Sequence, residues 1–138
     1  MTEIIAFIQN GIKLSTVILY GAVGEILTEK SGNLNLGVPG IMYLGGIVSL
    51  IGVFFYEKST PDPIPIVCVL IALSCAFLAS VLGGLIYSVL TISLRANQNV
   101  TGLTLTIFAG GFANFFGGSL MKLAGGVGQI NVATTSAA

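Results

Sequence analysis

The chain has 138 residues, of which 54% are hydrophobic and only 7% are charged, and its mean hydropathy is +1.01. Soluble domains carry about 25% charged residues, so this composition predicts a protein in contact with membrane lipid. The five basic and five acidic side chains give no net charge, which excludes the basic surface of a nucleic-acid-binding protein. Because the chain lacks histidine, hydrolytic and metal chemistry are also poor hypotheses.

Four predominantly apolar stretches are long enough to cross a bilayer, which takes roughly 20 helical residues. Their approximate limits are residues 4–27, 39–56, 64–94 and 100–121. They predict a single all-α domain over residues 1–138, an integral membrane bundle of about four transmembrane helices. The remaining tail, residues 124–138, is rich in Gly, Ser, Thr and Ala and is expected to be a polar loop.

The third stretch is longer than a membrane requires, about 45 Å as a helix. It is expected to tilt, to protrude, or to bend near Gly83 and Gly84. Its two cysteines, Cys68 and Cys75, lie roughly 10 Å apart along one helix, too far to form a disulfide. They are interpreted as small apolar residues.

Small residues recur every four positions in the third and fourth stretches, a spacing that lets helix backbones approach closely in lipid. The two series are Ala72, Ala76, Ser80, Gly84 and Ser88, and Ala109, Ala113 and Gly117. They favour a packed bundle over a single anchor, although small residues are also simply frequent in membrane helices.

The segment between the first two stretches is too rich in Gly, Asn and Pro for a regular helix. We expect the backbone to break at Gly32, Gly37, Pro39 and Gly40. Such a segment is either an ordinary turn at the bilayer surface or irregular backbone that lines a transport pathway. Glu25, just before it, faces a cavity or the headgroups, and the headgroups are favoured.

A second polar cluster, Asn97, Gln98 and Asn99, opens the fourth stretch, where one amide is explained by helix capping. Asn114 lies deeper and is expected to contact a neighbouring helix or water. The candidate pathway residues are Glu25, Asn33, Asn35, Asn97, Asn99 and Asn114. No metal ligand or catalytic residue is predicted.

The glycines at 125–128 are not followed by the Lys and Ser/Thr of a phosphate-binding loop. The chain therefore has no predicted ATP site or other cofactor, and ATP-driven transport would need a separate ATPase. Lys30 and Arg95 favour a cytoplasmic position for the two loops that contain them.

The residues from Glu25 to Met42 resemble the signature of bacterial ABC transporter permeases for nucleosides and simple sugars. Gly32, Asn33, Asn35, Gly37, Gly40 and Met42 agree in order, and the segment from Arg95 to Thr106 resembles the same family. Pro39 departs, because the family commonly has glutamate there. Members are roughly twice as long, so the chain is expected to be an N-terminal half.

The resemblance implies a plasma-membrane subunit that translocates a nucleoside or sugar. Its implied partners are an ABC ATPase subunit that uses the ATP, a second permease subunit, and an extracytoplasmic substrate-binding lipoprotein. Two alternatives remain open at this point: a small oligomeric channel or passive carrier, and a structural membrane fragment without a substrate.

Overall fold

The computed structural model describes residues 2–123, which form four helices. They are α1 (Thr2–Lys30), α2 (Val38–Ser59), α3 (Pro65–Ser88) and α4 (Gln98–Leu123). All four are long and apolar enough to cross a membrane, and residues 2–123 contain no strand. The predicted all-α membrane bundle is therefore confirmed. The tail and its glycines at 125–128 lie outside the described residues.

The end of α1 is determined by a glycine in the left-handed conformation. Gly32 has φ +85°, and its N–H donates to the Glu29 carbonyl at 2.9 Å, while the Asn33 N–H donates to the Thr28 carbonyl at 3.1 Å. This pair of bonds is the Schellman motif, which satisfies carbonyls that the helix end would leave unpaired. Seven residues, Ser31–Gly37, are then non-helical and are called the break segment below.

Helix α2 begins earlier than its sequence suggests. Pro39 lies in its first turn, where a missing N–H costs nothing because no helical acceptor is available there. The expected break at Pro39 and Gly40 is thus wrong in position, since the interruption ends at Gly37 and both residues are helical. Pro65 starts α3 in the same way, with Ile64 before it extended.

Gly83 and Gly84 do not interrupt α3, because both are helical. Instead, the helix widens after Ser88 into a π-helical turn, Val89–Ser93, in which the Leu94 N–H donates to the Val89 carbonyl. The chain then reverses through Arg95, whose φ of +52° is unusual for a side chain with a Cβ atom. The residues of the third stretch that follow Ser88 therefore form this wider turn.

Helix α2 is the centre of the bundle, because α1, α3 and α4 all pack against it. It is antiparallel to α3, with Gly45 beside Ala76 and Ser80, and Gly52 beside Cys75. It is parallel to α4. The buried core at one end contains Val53 and Cys68, which pack with Leu50, Tyr56, Ile71 and Ala72.

The small residues make several of these close contacts. A Cβ atom on Gly45 would lie 2.6 Å from Ser80 Oγ and 3.3 Å from the Ala76 carbonyl oxygen. On α4, Ala109 has no exposed surface, and Gly117 faces Ile47 of α2. Gly84 differs from the series, because no neighbouring atom lies within 4 Å of its Cβ position; Gly83 faces α2 instead.

Candidate translocation site

The break segment lies against α4 and does not project from the bundle. The Leu34 N–H donates to the Gln98 side-chain oxygen at 3.1 Å, and the Thr106 hydroxyl donates to the Leu36 carbonyl at 2.9 Å. Gln98 and Thr106 are eight residues apart on one helix, a rise of about 12 Å. The segment therefore runs beside the first two turns of α4, inside the end of the bundle.

Two further hydrogen bonds complete the support of this irregular backbone. The Tyr87 hydroxyl of α3 donates to the Leu34 carbonyl at 2.9 Å. Within the segment, Asn35 Oδ1 accepts the Gly37 N–H at 2.9 Å. Non-helical backbone at membrane depth requires internal partners of this kind, because lipid offers none.

Three glycines allow the segment and α4 to approach this closely. A Cβ atom on Gly102 would lie 2.8 Å from the Gly37 nitrogen and 2.9 Å from two backbone atoms of Leu36. A Cβ atom on Gly40 would lie 2.6 Å from the Thr106 Cα. With backbone contacts this short, a side chain at Gly40 or Gly102 would force the neighbouring backbone to shift, and Gly37 is itself buried.

A cleft of about 560 Å³ separates the break segment from α1. Its polar lining consists of Glu25 and Glu29 of α1 and Asn35 of the break segment, and its apolar wall includes Ile18 and Met42. The volume lies within the range of about 300–1,000 Å³ that is common for small-molecule sites.

A second groove of about 540 Å³ continues from this cleft along α2. The two cavities share Pro39 and Met42, and the second is lined almost entirely by apolar side chains, from Val17 of α1 to Ala113 of α4. Tyr43 is its aromatic member and is 60% exposed. The two cavities therefore adjoin at Pro39 and Met42.

The structure brings together some of the predicted pathway residues and separates others. Glu25 and Asn35 line the same cleft, and Asn33 is half-buried in the break segment beside it. Asn97 is the N-cap of α4, because its Oδ1 accepts the N–H groups of Asn99 and Val100 at 3.0 and 3.3 Å. The Asn99 side chain is exposed.

Asn114 makes no hydrogen bond to a neighbouring helix among the described residues, and its expected contact with water stays a prediction. Its side chain is exposed on α4 and has no hydrogen-bond partner among residues 2–123. The reason is geometric, since α4 turns Ala109, Leu105 and Leu120 toward the bundle and Asn114 away from it. The roles of the six residues in a pathway stay predictions.

Three residues that support the break segment were missed in the sequence: Tyr87, Gln98 and Thr106. Gln98 lies in the predicted polar cluster, but nothing in the sequence distinguishes its role from those of Asn97 and Asn99. Tyr87 and Thr106 look like ordinary residues of membrane helices. Their partners lie 53 to 70 residues away in sequence, so local patterns carried no signal for them. Among residues 2–123, no cluster of three or more His, Cys, Asp or Glu side chains could hold a metal ion.

Comparison with known proteins identifies the family of this chain. Residues 7–138 match the family described as the permease component of the branched-chain amino acid transport system. The chain belongs to this permease family. The expected relationship to ABC permeases is therefore confirmed, and the four membrane-capable helices agree with a multi-pass membrane subunit.

Three curated relatives of the permease family are similar to this chain. A putative glucose ABC transporter permease of Haloferax volcanii is 34% identical over 77% of the chain. A guanosine ABC transporter permease of Bacillus subtilis is 31% identical over 68%, and a nucleoside ABC transporter permease of Lactococcus lactis is 25% identical over 91%. The matched regions make up 29%, 28% and 37% of these relatives. No solved structure matches the chain significantly.

Proposed function

We propose that this chain is part of the membrane-spanning permease of an ATP-driven importer for nucleosides or simple sugars. A binding protein outside the membrane delivers the solute, and a separate ATPase subunit supplies the energy. A second permease subunit completes the pathway. The plasma membrane is the proposed location.

The observation that carries the proposal is the break segment beside its cleft. Transporters commonly place their solute sites where a helix is interrupted, because the loosened backbone and nearby polar side chains can then face a water-filled cavity. Here irregular backbone is hydrogen-bonded to α3 and α4, and it borders a cleft that contains Glu25 and Asn35. The relatives named for glucose, guanosine and nucleosides support the solute class.

Uptake by the source cells tests the proposal directly. We expect deletion of the gene to reduce accumulation of radiolabelled guanosine, uridine or glucose to the level of passive entry, and the wild-type gene to restore it. Replacement of the phosphate-binding lysine in the partner ATPase should have the same effect, because the permease has no energy source of its own.

Two results would contradict the proposal. Unchanged accumulation of all three solutes after deletion would favour a structural role. Uptake that requires this chain but continues when the ATPase is inactive would favour a channel or passive carrier.

A further inference from the structure

The cleft between α1 and the break segment contains hydrogen-bond acceptors without protein donors. Glu25 and Glu29 are one helical turn apart, so both face the cleft. Neither carboxylate makes a hydrogen bond or ion pair with a residue in the range 2–123. Glu25 is half-buried, whereas Glu29 is exposed.

The same cleft contains a donor that is not used. Asn35 is only 5% exposed, and its Oδ1 is occupied by the Gly37 N–H. Its Nδ2 group has no acceptor among the described residues, although Asn35 lines the cleft. No wholly buried side-chain nitrogen or oxygen among the described residues lacks a partner, so this amide keeps access to the cleft, where a ligand with an acceptor group can bond to it.

The combination of acceptors and a donor selects the ligand chemistry. The two carboxylates repel an anion, and a bare cation offers no acceptor for the Asn35 amide hydrogens. Hydroxyl groups satisfy both, since each can donate to a carboxylate and accept from the amide. The apolar wall of Ile18, Pro39 and Met42 suits the C–H face of a sugar ring.

We propose that this cleft binds vicinal hydroxyl groups of the transported solute, with Glu25 as the acceptor and Asn35 as the donor. This inference rests on the proposed function and adds to it the chemical group that is recognised. Ribose and hexoses both have vicinal hydroxyls, so one cleft can bind nucleosides or sugars without recognising the base.

The test compares each solute with an analogue that lacks the vicinal pair. Initial uptake rates are measured for guanosine and 2′,3′-dideoxyguanosine, or for glucose and 2,3-dideoxyglucose if deletion of the gene shows that glucose is the solute. The binding protein is unchanged throughout, so a changed ratio between solute and analogue originates in the permease.

We expect Glu25→Gln to lower the rate for the hydroxylated solute about five- to tenfold, because a hydrogen bond to a charged acceptor is replaced by a neutral one. The rate for the analogue should change little. Glu3→Gln is the matched control, a carboxylate on the same helix but exposed at its other end, and should leave both rates unchanged.

Asn35→Asp separates recognition from folding. The substituted side chain keeps an oxygen for the Gly37 N–H but loses both donor hydrogens, so we expect wild-type membrane levels with a reduced solute-to-analogue ratio. Equal losses for solute and analogue in both variants, or no loss in either, would overturn the inference. Uptake that does not depend on this chain would instead contradict the proposed function.

Discussion

At the scale of single residues, the candidate site depends on the absence of side chains as much as on their chemistry. Gly102 is the clearest case, because the Leu36–Gly37 backbone occupies the space that a Cβ atom would need. Both partners are backbone, so neither can rotate away. The contact therefore determines how closely the break segment packs on α4.

We expect Gly102→Ala to destabilise the protein by about 1–3 kcal/mol, the usual cost of overpacking a close contact. Gly110→Ala on the same helix is the control, because nothing lies within 4 Å of its Cβ position. That change should be neutral or stabilising by up to about 1 kcal/mol, since alanine favours helix. Reversible unfolding by sodium dodecyl sulfate in mixed micelles measures both, and equal stabilities would contradict the predicted contact.

At the scale of elements, the break segment is held by side chains from two helices. Tyr87 of α3 and Gln98 and Thr106 of α4 bond to its backbone, and these bonds replace the ones a continuous helix would have made. The segment should therefore be ordered by its neighbours more than by its own sequence, with the Gly32 helix end as the local exception.

Thr106→Val removes the hydroxyl that donates to Leu36 while nearly conserving shape. We expect amide hydrogen exchange at residues 34–37 to accelerate about tenfold, because a net loss of about 1.4 kcal/mol favours local opening to that extent. Thr104→Val is the matched control, since the Thr104 hydroxyl donates to Val100 within its own helix. Similar acceleration in the two variants would show that Thr106 does not hold the segment.

At the scale of the whole molecule, helix order and packing place the two polar clusters at the same end. The break segment and the turn through Arg95 are neighbours, whereas the loop between α2 and α3, residues 60–64, lies at the opposite end. In a membrane these ends face different compartments. Lys30 and Arg95 favour the cytoplasm for the first end.

Cysteine labelling tests this arrangement. Ser31→Cys should react with a membrane-impermeant maleimide in inside-out vesicles, and Ser59→Cys should react in intact cells. Both serines are exposed at helix ends. The unsubstituted chain is the control, because Cys68 is fully buried and Cys75 is half-buried within α3. Labelling of the two variants from the same side would contradict the four-helix topology.

The sequence by itself determined the features that depend on local composition. Four apolar stretches predicted the four helices because hydropathy and length are read directly from the chain, and Gly32 marked the end of α1 because glycine tolerates positive φ. Asn97 was recognisable within a capping cluster for the same local reason. The resemblance of residues 25–42 also predicted the permease family, which comparison with known proteins confirmed.

Tertiary structure decided where the break ends, what supports it and what it faces. Pro39 is compatible with both a break and a first helical turn, and only the helix bounds distinguish them. Tyr87, Gln98 and Thr106 reach their partners across 53 to 70 residues of chain, so their roles depend on how three helices pack. The direction of Asn114, away from the bundle, likewise follows from which face of α4 meets α2.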